Sequence, residues 1–221
     1  MHIIGLLAAN GFVDLGTFHP EITAAEAAQR LVAELGCELW GRADALTVNP
    51  TTAKPLNTYA GNYGLGQLPL HTDLAHWYVP PHYLMLRCVV GDPAVATLVL
   101  HHREALGGLP AAVVDRALFR PRRRVEGQMF LVRLRHRGIF RWDQLFLKPD
   151  NYEAWQVRAV LVDRPTPRRV AAITLDRPGR TILIDNWTTL HGRSAAGRMP
   201  TSRRIERAYF SGERDDEQDA S

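Results

Sequence analysis

From Leu68 onward the chain is a succession of short apolar runs. Each is cut off by Pro, Gly or charged residues before it reaches helical length. The stretch LPLHTDLAHWYVPPHYLMLRCVVGD is interrupted at Pro80-Pro81 and at Gly91-Asp92, which predicts two strands with a turn at the prolines. ATLVLH (Ala96 to His101), MFLVRLRH, IFRWDQLFL, RVAAITL, TILIDNW and IERAYFS read as further strands. Strands this short satisfy their backbone groups only by pairing into sheets. Helical patterning is confined to three places. Glu21 to Leu39 is Ala-rich, and Thr23 stands three residues before Glu26 as in a capping box. Arg103 to Phe119 places Leu106, Leu109, Val113, Val114 and Leu118 on one face despite Pro110, and a shorter helix is expected between Asn151 and Val162. Asn49 to Gln67 has little periodicity and reads as a long loop. The expected fold class is mainly β with flanking helices (α+β), a β-sandwich or barrel decorated by helices.

Length and composition narrow the class further. The 221 residues suit a single domain with a sizeable core, and no internal repeat or low-complexity linker divides them. No window reaches the roughly 18 apolar residues of a membrane helix. The opening MHIIGLLAANGF has no Lys or Arg ahead of its apolar run, so it lacks the charged n-region of a secretory signal. Cys37 and Cys88 are too few for a disulfide scaffold or a Cys-based zinc site. Cytoplasmic residence with two reduced, buried thiols is the expectation.

The net charge is +4, carried by 25 Arg and 2 Lys against 23 acids. Residues 120–141 hold eight Arg (120, 122, 123, 124, 133, 135, 137 and 141) against the single acid Glu126. Such a cluster attracts nucleic acid or a small anion, or is simply a solvated basic face. Patterns of RNA-binding or zinc-finger modules are absent, which disfavours nucleic acid as a partner. The terminal ERDDEQDAS, 213–221, reads as a flexible acidic tail.

The chemistry-bearing pattern begins at His71-Thr72-Asp73. On a strand, residues i and i+2 share a face, so an imidazole and a carboxylate stand side by side. His191 follows far downstream, just past an apolar strand. Two His and one carboxylate on one face of a metal, with open positions opposite, make the facial triad of non-heme Fe(II) oxygenases. An HxD pair alone is weak evidence in a chain with nine His. Downstream, RRIER brings Arg203, Arg204 and Arg207, and a guanidinium is the forked, permanently charged donor that a dicarboxylate needs. Thr97 begins a strand 26 residues after His71 and could add a hydroxyl.

In that order, PLHTDLAHWYVPPHYLMLRCV, Thr97, DNWTTLHGR and RRIERAYF, the chain resembles the TauD/TfdA (clavaminate-synthase-like) family of Fe(II)/2-oxoglutarate dioxygenases from about Gly61 to Phe210. The resemblance implies a double-stranded β-helix (jelly-roll) core with Fe(II) on His71, Asp73 and His191. It implies 2-oxoglutarate with its far carboxylate on Arg203 or, one register away, Arg204, helped by Thr97. Arg207 would lie near the cosubstrate's other carboxylate, and O₂ would be the oxidant. Asp73 occupies the ligand position that a halogenase of this superfamily leaves to halide, which argues against a halogenase. A single domain over 1–221 is implied, with 102–165 a helical lid insertion. The gap from Asp73 to His191 is short for the family, so the pocket would be open or closed by a second copy in a homodimer.

The activity implied is oxidation, chiefly hydroxylation, of an unactivated C–H in a small polar metabolite of specialised metabolism, an amino acid or another anionic compound. The alternative is a metal-binding jelly roll with an activity that does not use 2-oxoglutarate. Candidate substrate residues are Asn57, Tyr59, Asn62 and Gln67 on the approach to His71, and Arg141 and Asp143 in the lid. Gln67 stands four before His71, on its face of a regular strand. Arg141 and Asp143 could read a carboxylate and an ammonium, or salt-bridge each other. Arg193, two past His191, would share its face and brace the metal residues.

Overall fold

The structure is a computed structural model and describes residues 3–48, 55, 58–125, 127–163, 169–197 and 202–211. Asn57, Glu126 and the acidic tail lie outside the described residues. In chain order the elements begin with α1 (Ile3–Asn10), β1 (Phe12–Thr17), α2 (Ala24–Leu35), β2 (Glu38–Leu39), β3 (Asp44–Thr47) and α3 (Tyr59–Tyr63). Next come β4 (Leu68–His71), β5 (Tyr83–Val90), β6 (Ala96–His101), α4 (His102–Ala105), α5 (Ala111–Arg116), β7 (Leu118–Pro121), β8 (Val132–Arg133), β9 (Arg135–His136), β10 (Ile139–Phe140) and β11 (Leu147–Pro149). The chain closes with α6 (Tyr152–Arg158), a π-helical turn over Ala159–Asp163, β12 (Ala171–Thr174), β13 (Arg180–Asp185), β14 (Thr189–Arg193) and β15 (Arg204–Ser211).

Two antiparallel sheets carry the architecture. The larger runs β1-β13-β5-β15-β2, with β3 also on β15, and the smaller runs β12-β6-β14-β4. Leu84, Leu86, Ile182, Ile184 and Ile205 from the larger sheet meet Val99 and Ile173 from the smaller in one buried cluster, so the sheets pack as a sandwich. The outer face of the larger sheet is covered by α2, whose Ala27, Ala28 and Leu31 pack on Met85, Leu183 and Phe210. Thr23 caps α2 as its sequence predicts: its hydroxyl accepts from Glu26 N, the Glu26 carboxylate accepts from Thr23 N, and Gly36 ends the helix in the left-handed conformation.

The described residues between β6 and β12 form a separate layer on the outer face of the smaller sheet. There Leu100 and Leu190 pack against Phe119, Leu134, Phe140 and Trp142. This layer is mixed and not simply helical, because it holds the sheets β11-β7-β8 and β10-β9 beside α4, α5 and α6.

Three local expectations are corrected. The single helix over Arg103–Phe119 is split into α4 and α5, because Gly107, Gly108 (φ 84°) and Pro110 interrupt it, and Leu118 and Phe119 enter β7. The supposed loop before Gln67 contains α3, capped by Thr58. The two strands expected on either side of Pro80-Pro81 are present, β4 in the smaller sheet and β5 in the larger. The run IFRWDQLFL is two strands parted by a turn, where Asp143 Oδ1 accepts from Leu145 N at 2.7 Å and Phe146 N at 3.0 Å.

Candidate metal centre and its cavity

His71 closes β4 and lies directly across the ladder from His191 on β14, which brings the two rings to 4.5 Å. Asp73 follows at the mouth of the sandwich, just off the strand. Its Oδ1 is 3.3 Å from His71 Nε2 and 3.6 Å from His191 Nε2. The three side chains are buried, and their ligand atoms all lie within 4.8 Å of one another.

The donor set fits a cation. His71 Nδ1 is 2.8 Å from the Pro69 carbonyl, an acceptor only, so Nδ1 carries a proton and Nε2 is the ring nitrogen that faces Asp73. Nε2 can face a carboxylate oxygen without repulsion when a proton or a metal cation lies between them. Burial alone would lower the His71 pKa, but the Asp73 carboxylate holds it above its ordinary value. His191 is pushed down, first by burial and then by His71. Asp73 is held well below the usual carboxylate range, because Arg207 and His191 outweigh its desolvation.

Asp73 is fixed from three sides. Asn186, wholly buried, accepts from Asp73 N at 2.7 Å and donates to Asp73 O at 3.0 Å and to Pro81 O at 2.9 Å. The next residue, Leu74, has φ 53°, a left-handed conformation that a branched side chain rarely adopts. The outer oxygen Oδ2 accepts from Tyr209 Oη at 2.8 Å and Arg207 Nη1 at 3.0 Å. Arg207 also donates to Asp44 on β3 and lies 4.7 Å over the Tyr209 ring. Sequence reasoning missed Asn186, Tyr209 and Asp44. The alternation of Ile205, Arg207 and Tyr209 along one strand face is the signal that points to Tyr209.

The triad lies in the wall of a cavity of about 500 Å³ between the two sheets. Arg203, Ile205, Arg207 and Tyr209 line it, whereas Arg204 is exposed. Strand parity therefore directs Arg203 and not Arg204 into the cavity. Arg203 is buried, and its Nη2 lies 3.2 Å from Thr97 Oγ1 on β6. Burial, with Arg193 adding to it, pushes Arg203 down to about 10. A guanidinium so placed gains most from an incoming carboxylate. Arg193 lines the same cavity and donates to the carbonyls of Gly64 and Gly66. The opposite wall is aromatic, with Tyr59 4.7 Å from the His71 ring and 5.3 Å from Phe146.

The remaining candidates fall elsewhere. Gln67 lines a second cavity, of about 480 Å³, on the far side of the smaller sheet. The cause is a bulge: His191 pairs with His71 but Arg193 with Leu68, so two residues of β4, Pro69 and Leu70, oppose the single Gly192 of β14. The extra residue reverses side-chain parity, leaving Leu68 and His71 on one cavity and Gln67, Pro69 and Leu70 on the other. Asn62 Nδ2 donates to Thr58 O within α3, and Asn62 is not among the residues lining the metal cavity.

Arg141 is buried and donates to the carbonyls of Trp77 and Tyr78, bracing the loop after Asp73. Asp143 is buried in its own turn and accepts from the Tyr59 hydroxyl, so the two do not salt-bridge each other. The basic cluster is dispersed: Arg120 pairs with Asp150 and Arg135 with Asp115, while Arg123 lines the cavity that holds the triad.

No family model matches the chain, and no curated protein sequence matches it. Solved structures do. An asparagine oxygenase in complex with Fe(II), 2S,3S-3-hydroxyasparagine and succinate superposes with a TM-score of 0.68 at 17% identity, over 94% of this chain and 77% of that one. The non-heme iron oxygenase OrfP, in complex with Fe, succinate and (3S)-hydroxy-L-Arg, gives 0.68 at 17% identity, over 96% and 78%. PvcB of Pseudomonas aeruginosa, an Fe, α-ketoglutarate-dependent oxygenase from an isonitrile synthetic pathway, gives 0.64 at 19–20% identity, over 96% and 79%. The chain thus shares its fold with structures of iron oxygenases. Among the described residues no helix is long and apolar enough to cross a membrane.

Proposed function

We propose that the protein is an Fe(II)- and 2-oxoglutarate-dependent oxygenase that hydroxylates an unactivated C–H bond of a small metabolite. The observation that carries this reading is that His71, Asp73 and His191 converge in one buried cluster, whose cavity also holds Arg203 and Thr97. The two facing sheets support a double-stranded β-helix core. Structural relatives bound to hydroxylated amino acids and succinate support both the reaction class and a small polar substrate from specialised metabolism.

In this reading His71 Nε2, His191 Nε2 and Asp73 Oδ1 hold the iron. Iron with bound 2-oxoglutarate supplies oxidative decarboxylation of the cosubstrate, with O₂ as oxidant, coupled to C–H oxidation. Arg203 and Thr97 orient the cosubstrate by its far carboxylate. Arg207 and Tyr209 occupy Asp73 Oδ2, which leaves Oδ1 as the ligand atom and keeps the carboxylate from turning. Arg207 is committed to Asp73 and Asp44, so its part is to set Asp73 and not to bind the cosubstrate directly. Residues 102–165 act as a lid by supplying Phe146 and Arg123 to the cavity wall. Cytoplasmic residence belongs to the same reading, supported by the buried Cys37 and Cys88, neither of which is in a disulfide.

The test is anaerobic titration with Fe(II) and 2-oxoglutarate, following the weak visible charge-transfer band of the chelate. The band is expected with the unaltered protein and lost in Arg203→Ala at the same cosubstrate concentration. Iron binding with no band at saturating 2-oxoglutarate would overturn the cosubstrate assignment and leave a metal protein of another activity.

A further inference from the structure

We infer that the second cavity, on the outer face of the smaller sheet, is a binding site for a mainly apolar small molecule carrying a hydroxyl or amide group, and that its occupancy is felt at the metal centre through β4. The inference needs a metal on the triad but neither the cosubstrate nor the reaction.

The first ground is the size and position of the space. Leu100 on β6 and Leu190 on β14 face each other across the ladder and belong to the cluster that joins the smaller sheet to the lid layer. Beside that contact the two layers part. They leave a cavity of about 480 Å³ between Leu70, Leu100 and Leu190 on the sheet and Trp142 and Leu161 on the lid. Close-packed interiors hold few voids larger than a water molecule, whereas this volume lies within the range of small-molecule sites.

The second ground is how the walls are made. α6 opens into the π-helical turn over Ala159–Asp163, which sets Val160, Leu161 and Val162 in succession along the cavity. The wider turn brings neighbouring residues to a common side, and single π turns are rare and concentrate at functional sites. The bulge in β4 turns Gln67, Pro69 and Leu70 to the same space. Two departures from regular geometry therefore shape this one cavity.

The lining sets the ligand chemistry. Its leucines and valines match an apolar body. Its polar groups are a phenol and two amides: Gln144 Nε2 donates to Tyr63 Oη at 2.9 Å, and Gln67 stands on the same wall. The bond between Gln144 and Tyr63 uses neither the Tyr63 O–H nor the Gln144 carbonyl. A hydroxyl or an amide on the ligand answers such a donor and acceptor. Glu104, also on this wall, pairs with Arg169 at 3.2 Å.

The link to the metal centre is the shared strand. Pro69 and Leu70 line the second cavity, and the Pro69 carbonyl accepts from Nδ1 of His71 at 2.8 Å. Leu190 lines it one residue before His191. Gly192, opposite Pro69 and Leu70, lies so close that an added Cβ would stand 2.6 Å from the Leu68 carbonyl oxygen. Little slack remains between the cavity floor and the two imidazoles, so a molecule pressing on Pro69 and Leu70 shifts the strand that carries His71. Tyr63 lines both cavities and provides a second link.

The test is calorimetric binding of octanamide, 1-octanol, 4-phenylbutanamide and 4-phenyl-1-butanol to the protein, with and without Co(II). Butanamide and 1-butanol are the short analogues. At least one long probe is expected to bind one to one, and about tenfold or more tightly than the short analogue with the same polar group. Leu161→Trp and, separately, Val162→Trp should fill the cavity and weaken that probe about tenfold or more, with urea midpoints showing which variants stay folded. Photolabelling with a diazirine analogue of the same probe locates it without any substitution, and the label is expected within 67–70, 104–107 or 159–162. A saturating probe should change the Co(II) Kd by about fivefold or more, and Co(II) should change the probe's Kd by the same factor.

No saturable binding by any long probe, equal binding of long and short ones, or undiminished binding in a folded Trp variant would each overturn the inference. So would label on 46–48 or 203–209 in the metal cavity, or a Co(II) affinity indifferent to the probe. Failure of Co(II) to bind the probe-free protein would strike the metal centre itself and this inference with it, and is told apart because no probe is present.

Discussion

Tyr209 Oη sits 2.8 Å from Asp73 Oδ2, on the side of the carboxylate opposite the two imidazoles. The hydroxyl donates and the carboxylate accepts, so the bond favours the ionised form and fixes which oxygen faces the histidines. Burial, followed by the Asp73 charge, drives the Tyr209 pKa far up, so the proton stays on the phenol at any working pH. Tyr209→Phe removes this one bond without changing the ring. Fe(II) affinity should fall by about 10–100-fold, the range typical of losing a ligand's hydrogen-bond partner. Co(II) titration followed by its visible spectrum reads the loss directly, and unchanged affinity would remove Tyr209 from the positioning role.

Asn186 holds three backbone groups with one amide. Asn186→Ala leaves Asp73 N, Asp73 O and Pro81 O buried without this partner, at about 1–3 kcal/mol for each group left unsatisfied. Asn186→Asp retains an acceptor for Asp73 N but cannot donate to either carbonyl. Both variants should lower the urea midpoint at constant slope, with Asp at least as damaging as Ala. A midpoint for Asp close to that of the unaltered protein would contradict the assigned bonding.

Gly192, between His191 and Arg193, lies so close to β4 that an added Cβ would stand 2.6 Å from the Leu68 carbonyl oxygen and 3.2 Å from Pro69. Those atoms are backbone at the bulge and cannot move aside without shifting the strand that carries His71. Gly192→Ala should therefore lose about 1–3 kcal/mol of stability and weaken metal binding in the same variant. A variant destabilised in urea but with full Co(II) affinity would show that the bulge and the metal residues are uncoupled.

His102 provides a pH handle outside the metal centre. Its Nδ1 is 2.8 Å from the Thr188 carbonyl, its ring stacks 4.9 Å from Phe140, and burial above all lowers its pKa from 6.5 to about 4. The unfolded chain thus binds more protons than the folded one between those values. Stability that is present above about pH 6.5 is lost as pH falls toward 4, on the order of 2 kcal/mol for this group. Asp185 works in the opposite sense: burial raises its pKa from 3.8 to about 6, so its contribution falls as pH rises through that window. Urea midpoints measured from pH 4 to 7 should show a shallower acid loss in His102→Asn and a steeper one in Asp185→Asn.

Local signals and the ordered motif were legible in the sequence. The Thr23/Glu26 box, strand β6 and the helix after Asn151 declared themselves through short-range chemistry. His71, Asp73 and His191 were singled out by residue type and order, and Thr97 by its place between them, and the fold brings all four to one cavity. Features set by pairing between distant strands were not legible. The bulge that sends Gln67 to the far cavity exists only in the register of β4 against β14. The choice between Arg203 and Arg204 became definite once β15 had a face. Arg141 and Asp143 looked like a substrate-reading pair, but the loop carbonyls and turn amides they satisfy come from elsewhere in the fold or from a turn the sequence did not announce.

Strands β6 and β12 are immediate neighbours in the smaller sheet, with Val99 opposite Ala171 and Ala96 opposite Thr174. Everything between them leaves and re-enters the sandwich at adjoining points, as a long hairpin would. That excursion contributes Phe146 and Arg123 to the cavity but none of the three metal residues or the Arg203–Thr97 pair. The segment can therefore lengthen, shorten or be exchanged over evolution while the reactive centre keeps its geometry. Grafting this excursion between relatives of the same fold is expected to change one part of the cavity wall and to leave the cluster of His71, Asp73 and His191 in place.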